Sequence, residues 1–367
     1  MKKNISIVTL ISGFALLIAG ALILSSCEGP AGPQGDQGPQ GEQGPQGDVG
    51  PQGPAGEDGN GTCVVCHNSE VVLLAKEQQI NYSAHMTGGN YERSSGDCAI
   101  CHTHQGFTNK IAGMEEADVT DPAPINCRTC HMIHMNYDES DWALATTDPV
   151  ELTYGGATAD IGDANLCANC HQMRAVSPDP AAGGEITITS SRWGGHHGPQ
   201  TNTLWGAGLY EIAGSESYPD AGTHPHAGLG CNKCHMAPVP YGGRSAGGHT
   251  FNMSYEYHGN LEYNVAACTT CHPALEDQGD FDLNGVQTDV EEKLAELGQI
   301  LIDKGWLDEA SGLWTASSGT PIVVTADEAG AMLNYITIEE DRSLGVHNAA
   351  YIVAALTNSI EALSAAK

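Results

Sequence analysis

The sequence predicts a mainly α-helical protein with much loop, and three observations lead to this fold class. Residues 61–275 are rich in Gly, Cys and His and show little sustained apolar periodicity, which is typical of loop-rich structure. Residues 276–367 instead carry apolar residues at helical spacing behind capping signals. The 367-residue chain has only four Phe and 6% aromatic residues, so apolar side chains alone would give a thin core. Something else must complete the interior.

Residues 1–27 have the features of an export signal. Lys2 and Lys3 precede an uncharged apolar run, Ile5–Leu24, which is followed by Ser-Ser and then Cys27. The Leu-Ser-Ser-Cys stretch resembles the bacterial lipobox, in which the Cys becomes the lipidated first residue. We therefore expect an exported lipoprotein, anchored through Cys27 to the outer membrane or cell surface. A plain signal peptide, a membrane-spanning helix and a periplasmic location are the alternatives.

Residues 28–60 form a collagen-like stalk in our interpretation. Gly occupies every third position from Gly29 to Gly59, and Pro occupies six of the X positions. This period is the signature of the collagen triple helix, which would make the protein a homotrimer. An extended monomeric spacer is the alternative, because no Y position carries Pro. At about 3.1 Å per residue, the extended segment would hold the following domain on the order of 90 Å from its anchor.

Twelve of the thirteen cysteines fall in six Cys-x-x-Cys-His motifs, and the thirteenth is Cys27. The motif cysteines are Cys63 and Cys66, Cys98 and Cys101, Cys127 and Cys130, Cys167 and Cys170, Cys231 and Cys234, and Cys268 and Cys271. The motif is the attachment signal for c-type haem, because two thiols on one helical turn reach the two vinyl groups of a porphyrin while the adjacent imidazole binds its iron. We expect six covalently bound haem c groups, with the proximal ligands His67, His102, His131, His171, His235 and His272.

Zinc sites, redox dithiols and disulfides are the competing interpretations of these cysteines. Zinc would not require His directly after every pair, a redox dithiol rarely occurs six times in one chain, and disulfides of an exported protein give no reason for the His. Covalent haem explains the whole pattern. Six porphyrins would also fill the interior, so residues 61–275 should form a haem-packed cytochrome c domain that does not fold without haem. Residues 276–367 should pack on it as C-terminal helices.

The histidines outside the motifs can give every iron a second axial imidazole. There are ten of them for six irons, and an iron with two imidazoles has no open position and favours electron transfer. The expected distal ligands are His85, His134, His196, His224, His249 and His347. His134 should serve a neighbouring haem, because it lies only three residues after His131. His197 and His226 remain alternatives to their near neighbours, His104 competes with all six, and Met is a less favoured ligand type.

Capping signals predict the helices of residues 276–367. Thr288-x-x-Glu291 is a capping box that should open the first helix. Thr325 begins a second box, and Asn348 can cap the last helix. The apolar residues that follow recur at the spacing of one helix face, so we expect amphipathic helices that pack against the rest of the chain.

Several motifs resemble the multihaem cytochrome c superfamily that includes cytochrome c nitrite reductase and hydroxylamine oxidoreductase. The stretch Cys231–Pro238, which reads CNKCHMAP, is similar to its CHMP-type motif. The stretches around His196, His249 and His347 are similar to those in which its members carry distal histidines. The resemblance implies a mostly helical, haem-packed domain that works outside the cytoplasm. The chain departs from the nitrite reductases, because all six motifs end in His and none ends in Lys.

The net charge and the number of histidines available as iron ligands favour an electron-transfer protein. The chain has 45 acidic against 14 basic residues and a formal net charge of −31, which argues against a nucleic-acid partner. We expect it to relay electrons to and from redox partner proteins, such as other cytochromes, or an extracellular acceptor, without substrate chemistry. Two alternatives stay open: an oxidoreductase of small nitrogen or sulfur compounds with one open haem, and a subunit of an extracellular haem filament.

Overall fold

The computed structural model describes residue 67 and residues 71–239 and 245–365, all within one compact unit. The α-helices of this part are α1 Val71–Ile80, α2 Ala84–Thr87, α3 Gly96–His102, α4 His104–Ile111, α5 Cys127–Cys130, α6 Asn165–Ala168, α7 Gln200–Trp205, α8 Cys231–His235, α9 Ala274–Gln278, α10 Val286–Asp303, α11 Ala326–Asp341 and α12 Ala349–Ala365. The export signal, the lipidation site, the stalk and the motif cysteines Cys63 and Cys66 lie outside the described residues. Among the described helices, none is long and apolar enough to cross a membrane.

Four small antiparallel sheets of two strands each accompany the helices in the described part. The strands are β1 Val150–Glu151, β2 Thr158–Ala159, β3 Glu185–Ile188, β4 Ser254–Tyr257, β5 Asn260–Tyr263, β6 Leu307–Asp308, β7 Leu313–Trp314 and β8 Ile322–Thr325. Three of the pairings join neighbouring strands, whereas β3 pairs with the distant β8, from Glu185 opposite Thr325 to Ile188 opposite Ile322. The described part is therefore helix-rich with long connections, as the sequence predicts.

The described motif cysteines lie on short helices or single turns. Helices α3, α5, α6 and α8 each carry them, and the backbone N–H of His171 donates to the carbonyl of Cys167 at 2.9 Å. The side chain of Asn126 caps α5 by accepting from the backbone N–H of Arg128 at 3.0 Å. One such turn brings both thiols and the imidazole of a motif to the same side of the backbone.

The largest apolar core joins the C-terminal helices to an earlier segment. Helices α10, α11 and α12 pack against one another and bury side chains such as Leu297 and Met332 completely. Trp193 and Ile212, which precede the fifth motif, belong to the same core. The predicted boundary at residue 275 is therefore crossed by one continuous core, and the β3–β8 pairing crosses it as well.

The three predicted C-terminal helices are present, and two of the three predicted caps form. Thr325 and Glu328 cap α11 reciprocally, each side chain accepting from the backbone N–H of the other. Asn348 accepts from the backbone N–H of Tyr351 at the start of α12. The Thr288 capping box is wrong, because α10 begins at Val286 and the Thr288 hydroxyl instead donates to Asp282 at 2.7 Å. The Asp282 carboxylate, upstream of the expected cap, outcompetes Thr288 for the free N–H groups of this helix.

Candidate functional site

Every motif histidine faces a second histidine from elsewhere in the chain. The six facing pairs, with the distances between ring centroids, are His67–His134 at 6.1 Å, His102–His196 at 6.2 Å, His131–His249 at 6.2 Å, His171–His85 at 5.8 Å, His235–His347 at 6.4 Å and His272–His226 at 6.2 Å. No histidine belongs to two pairs, so each motif has a partner of its own.

The spacing of the facing pairs fits an ion held between two imidazoles. A metal–nitrogen bond of about 2.0 Å, plus about 1.1 Å from that nitrogen to the ring centre, would separate two trans rings by about 6 Å. In the part of the chain that the structure describes, no group of three or more His, Cys, Asp or Glu side chains could hold a metal ion. Two protein ligands for each ion suit an iron whose other ligands come from a porphyrin, and they do not suit a tetrahedral zinc site.

Five of the six distal histidines expected from the sequence lie opposite a motif histidine. These five are His85, His134, His196, His249 and His347. The sixth position was expected to belong to His224, but the ring opposite His272 is that of His226, and His224 lies edge-on beside it at 4.9 Å. The structure therefore favours His226 over His224. His134 faces His67 and not the nearby His131, the arrangement expected for a ligand of a neighbouring haem.

The two other competing histidines have local partners instead. Nδ1 of His104 lies 2.9 Å from Oγ1 of Thr129, the residue that completes the capping box of α5. Nδ1 of His197 lies 2.6 Å from Oε1 of Glu340, and the His197 ring is exposed. Neither ring is paired with a motif histidine in the described part of the chain. Their contacts explain both positions without a metal.

Hydrogen bonds from Nδ1 to carbonyl, amide or carboxylate oxygens orient five of the paired rings. Three Nδ1 atoms lie against backbone carbonyl oxygens, namely His131 on Trp142 at 2.7 Å, His226 on Val346 at 2.8 Å and His235 on Phe251 at 2.9 Å. His171 Nδ1 lies 3.1 Å from Gln200 Oε1, and His347 Nδ1 lies 2.7 Å from Asp341 Oδ1. Because these oxygens carry no hydrogen, each Nδ1 is the donor. In the neutral form of each ring the lone pair is therefore on Nε2, which is the nitrogen free to bind a metal.

A buried carboxylate holds the loop that carries His134. Asp141 accepts the backbone N–H groups of His134 at 2.7 Å, Asn136 at 2.7 Å and Tyr137 at 3.1 Å. Burial disfavours the charged form of Asp141, but these hydrogen bonds outweigh burial and hold its pKa below the usual range. His134 has φ of 66°, a left-handed conformation that non-glycine residues rarely adopt. The Asp141 network therefore stabilises the backbone turn that directs His134 towards His67.

Burial keeps several paired histidines in the neutral form. It lowers the pKa of His85 and of His249 to about 4, and neighbouring positive charge adds to the effect. Partial desolvation, with the charges of His197 and Arg174 nearby, lowers the pKa of the more exposed His196 to about 4 as well. A neutral imidazole has the free lone pair that metal binding requires. His347 differs, because the Asp341 carboxylate outweighs the effect of burial and raises the His347 pKa above its ordinary value.

The motif cysteines show which motifs are neighbours in space. The close pairs are Cys101–Cys170, Cys167–Cys231, Cys130–Cys167 and Cys234–Cys268. The second, third and fifth motifs therefore adjoin the fourth, and the sixth adjoins the fifth. The third motif also reaches the first through the loop of His134, which faces His67. The six facing pairs thus form one connected set.

Phe251 contacts three of the facing pairs. Its ring lies edge-on to His85, with 5.2 Å between centroids, and to His249, with 6.1 Å between centroids. Its carbonyl oxygen accepts from Nδ1 of His235. Nothing in the sequence singled out this residue, because its partners come from three separate segments.

Comparison with known proteins finds multihaem cytochromes. No protein-family model matches the chain. Over 218 residues, or 55% of its length, the chain is 22% identical to the C-type polyheme cytochrome OmcB of Geobacter sulfurreducens, in both strain PCA and strain DL-1 / KN400. The chain spans 27% of the length of these curated relatives.

Two solved structures show a low similarity to the chain. The outer cell wall cytochrome OcwA matches with a TM-score of 0.47 and 19% identity, over 78% of this chain and 50% of that one. The undecahaem cytochrome from the S-layer of Carboxydothermus ferrireducens matches with a TM-score of 0.41 and 18% identity, over 79% of this chain and 40% of that one. The sequence relatives are polyhaem c-type cytochromes, which supports a multihaem cytochrome with covalently bound haem c.

Proposed function

We propose that this chain is a hexahaem c-type cytochrome that relays electrons through haems with two histidine ligands. One observation carries the proposal: each of the six motif histidines faces a second histidine at a ring-centroid distance between 5.8 and 6.4 Å. Haem iron, when bound, supplies a one-electron couple between Fe(III) and Fe(II). Two imidazoles for each iron would leave no open position for a substrate, which supports relay over an enzyme of small nitrogen or sulfur compounds.

The residues of the chain have three roles in this proposal. The twelve motif cysteines hold the porphyrin edges. The paired histidines would hold the irons from both sides, with His226 in place of His224 opposite His272. The carbonyl and carboxylate groups at Nδ1 fix the ring orientation. The adjacency of the motifs would let electrons pass from the first through the third, fourth and fifth to the sixth, with the second as a branch at the fourth.

The proposed setting is outside the cytoplasm. The lipobox-like Cys27 would anchor the protein to a membrane, and the Gly-X-Y segment 28–60 would hold the haem domain away from it, either as a single strand or as a trimer. We infer that the partners are other redox proteins, such as cytochromes, or an extracellular acceptor. The acidic surface favours partners with cationic patches.

Two measurements on the purified mature protein test the relay. Pyridine haemochrome analysis together with intact mass should give six haems for each chain. Electron paramagnetic resonance of the oxidised protein should show low-spin ferric iron throughout, because two imidazoles give a strong ligand field. A haem count well below six would remove the basis of the proposal, and a substantial high-spin signal would favour an open site and enzyme chemistry.

A further inference from the structure

Asp341 is a buried carboxylate in contact with one of the paired histidines. It is the last residue of α11 and is only 3% exposed. Its Oδ1 accepts from Nδ1 of His347 at 2.7 Å and lies 2.5 Å from the hydroxyl of Thr203. The hydroxyl of Ser343 donates to its Oδ2. Three hydrogen-bond donors therefore converge on this carboxylate in a buried position, which is the arrangement that a buried negative charge requires.

The other Nδ1 contacts of the facing pairs, within the described residues, are to neutral groups. They are the carbonyls of Trp142, Val346 and Phe251, the side-chain amide of Gln200 and the hydroxyl of Ser83. Nδ1 of His249 is buried without a partner. The second His–carboxylate contact, between His197 and Glu340, involves a ring that faces no motif histidine. Asp341 therefore distinguishes the His235–His347 pair from the other five.

A carboxylate at Nδ1 changes what an imidazole gives to a metal. It draws the Nδ1 proton towards itself, so the ring becomes a more basic and stronger donor through Nε2. A stronger donor and a nearby negative charge both favour Fe(III) over Fe(II). Because Asp341 is buried, water and salt screen its charge much less than they would at the surface.

We propose that Asp341 is a positioning residue that acts through His347 and gives the His235–His347 site the lowest reduction potential of the six. This inference rests on the proposed haem ligation. Electrons added to the protein then occupy the other sites first. The site at the fifth motif, which adjoins the fourth, would therefore stay oxidised until the neighbouring sites are reduced.

The test is a spectroelectrochemical titration of the six-haem protein carrying Asp341→Asn. The amide oxygen can still accept from His347, so the geometry is kept while the charge is lost. One component of the titration, the lowest in the wild type, should move to higher potential by at least a tenfold change in its reduction equilibrium, about 59 mV for a one-electron couple. One low-spin ferric resonance should shift with it. Glu340→Gln is the matched control, because it neutralises the adjacent carboxylate on the unpaired His197 and should leave all components in place.

A second variant gives the opposite sign. Ser343→Ala removes the hydroxyl that donates to Asp341. Without this donor the carboxylate should accept more strongly from Nδ1 of His347, so the same component should move to lower potential. If the Asp341→Asn protein does not assemble with its haems, the Ser343→Ala variant tests the role of Asp341 instead. The inference is overturned if the titrations of wild type and Asp341→Asn coincide, if the shift equals that of Glu340→Gln, or if Ser343→Ala raises the potential. A wild-type haem count below six would instead overturn the proposed function itself.

Discussion

Residues 71–278 and residues 286–365 build their interiors differently. In the first region the described helices have between 4 and 10 residues, and several of them consist of little more than a haem-attachment motif. In the second region α10, α11 and α12 have 18, 16 and 17 residues and bury their apolar faces against one another. Side-chain packing can hold the second region together with the segment around Trp193 and Ile212 that shares its core, whereas the rest of the first region depends on the haems that we propose. Loss of a haem should therefore affect mainly the first region, and a cavity in the apolar core mainly the second.

Loss of the central haem should have the largest effect. The fourth motif adjoins three others, so Cys167→Ser with Cys170→Ser should remove one haem and destabilise the whole motif-bearing region. The matched control is Cys268→Ser with Cys271→Ser, which removes the haem at the edge of the set. Haem count by pyridine haemochrome and thermal unfolding by circular dichroism measure both effects. Equal loss of stability in the two double variants would contradict the central position of the fourth motif.

A cavity in the apolar core should destabilise the second region without changing the haems. Leu297 is fully buried, and Leu297→Ala should lower the free energy of unfolding by about 2–5 kcal/mol. Val323→Ala is the control, because Val323 is 50% exposed and the change should stay within about 0.5 kcal/mol. Urea unfolding gives both values. If Leu297→Ala also removed a haem, the two regions would not be separable in this way.

Replacing one distal histidine should change one iron in six. His226→Ala should open the axial position opposite His272, so that the reduced protein binds carbon monoxide at one site. His224→Ala, two residues away, should leave all six haems closed. The visible absorption change on adding carbon monoxide, at constant haem count, measures the difference. Carbon monoxide binding by His224→Ala alone would return the ligand role to the residue expected from the sequence.

Removal of a helix cap should have the smallest effect. Thr325→Ala takes away the hydroxyl that accepts from the backbone N–H of Glu328 and should cost about 1 kcal/mol. Thr320→Ala removes an exposed hydroxyl just before β8 and serves as the control. Chemical unfolding monitored at the α-helical signal gives both numbers. A loss at Thr320 as large as that at Thr325 would argue against the cap.

The structural features that depend on local sequence signals were predicted well, whereas contacts between distant segments were not. The caps of α11 and α12 involve residues within a few positions of each other, so the sequence contains the whole interaction. The start of α10 was predicted three residues late, because the helix has its N-cap at Gly285 and the predicted N-cap is Thr288, while the carboxylate of Asp282 lies upstream of the predicted box. His224 and His226 are the same residue type only two positions apart, so the sequence alone could not decide which of them faces His272. The carbonyl of Val346, 120 residues away, holds the ring of His226.

The sequence by itself determined how many haem-attachment motifs there are and the shape of each one, because a motif needs only one turn of backbone. It also determined that enough histidines exist to give each motif a partner. Only the tertiary structure decided which histidine faces which motif, which motifs are neighbours and where a buried carboxylate meets an imidazole. These depend on through-space contacts between segments far apart in the chain, and residue spacing along a sequence does not encode such contacts.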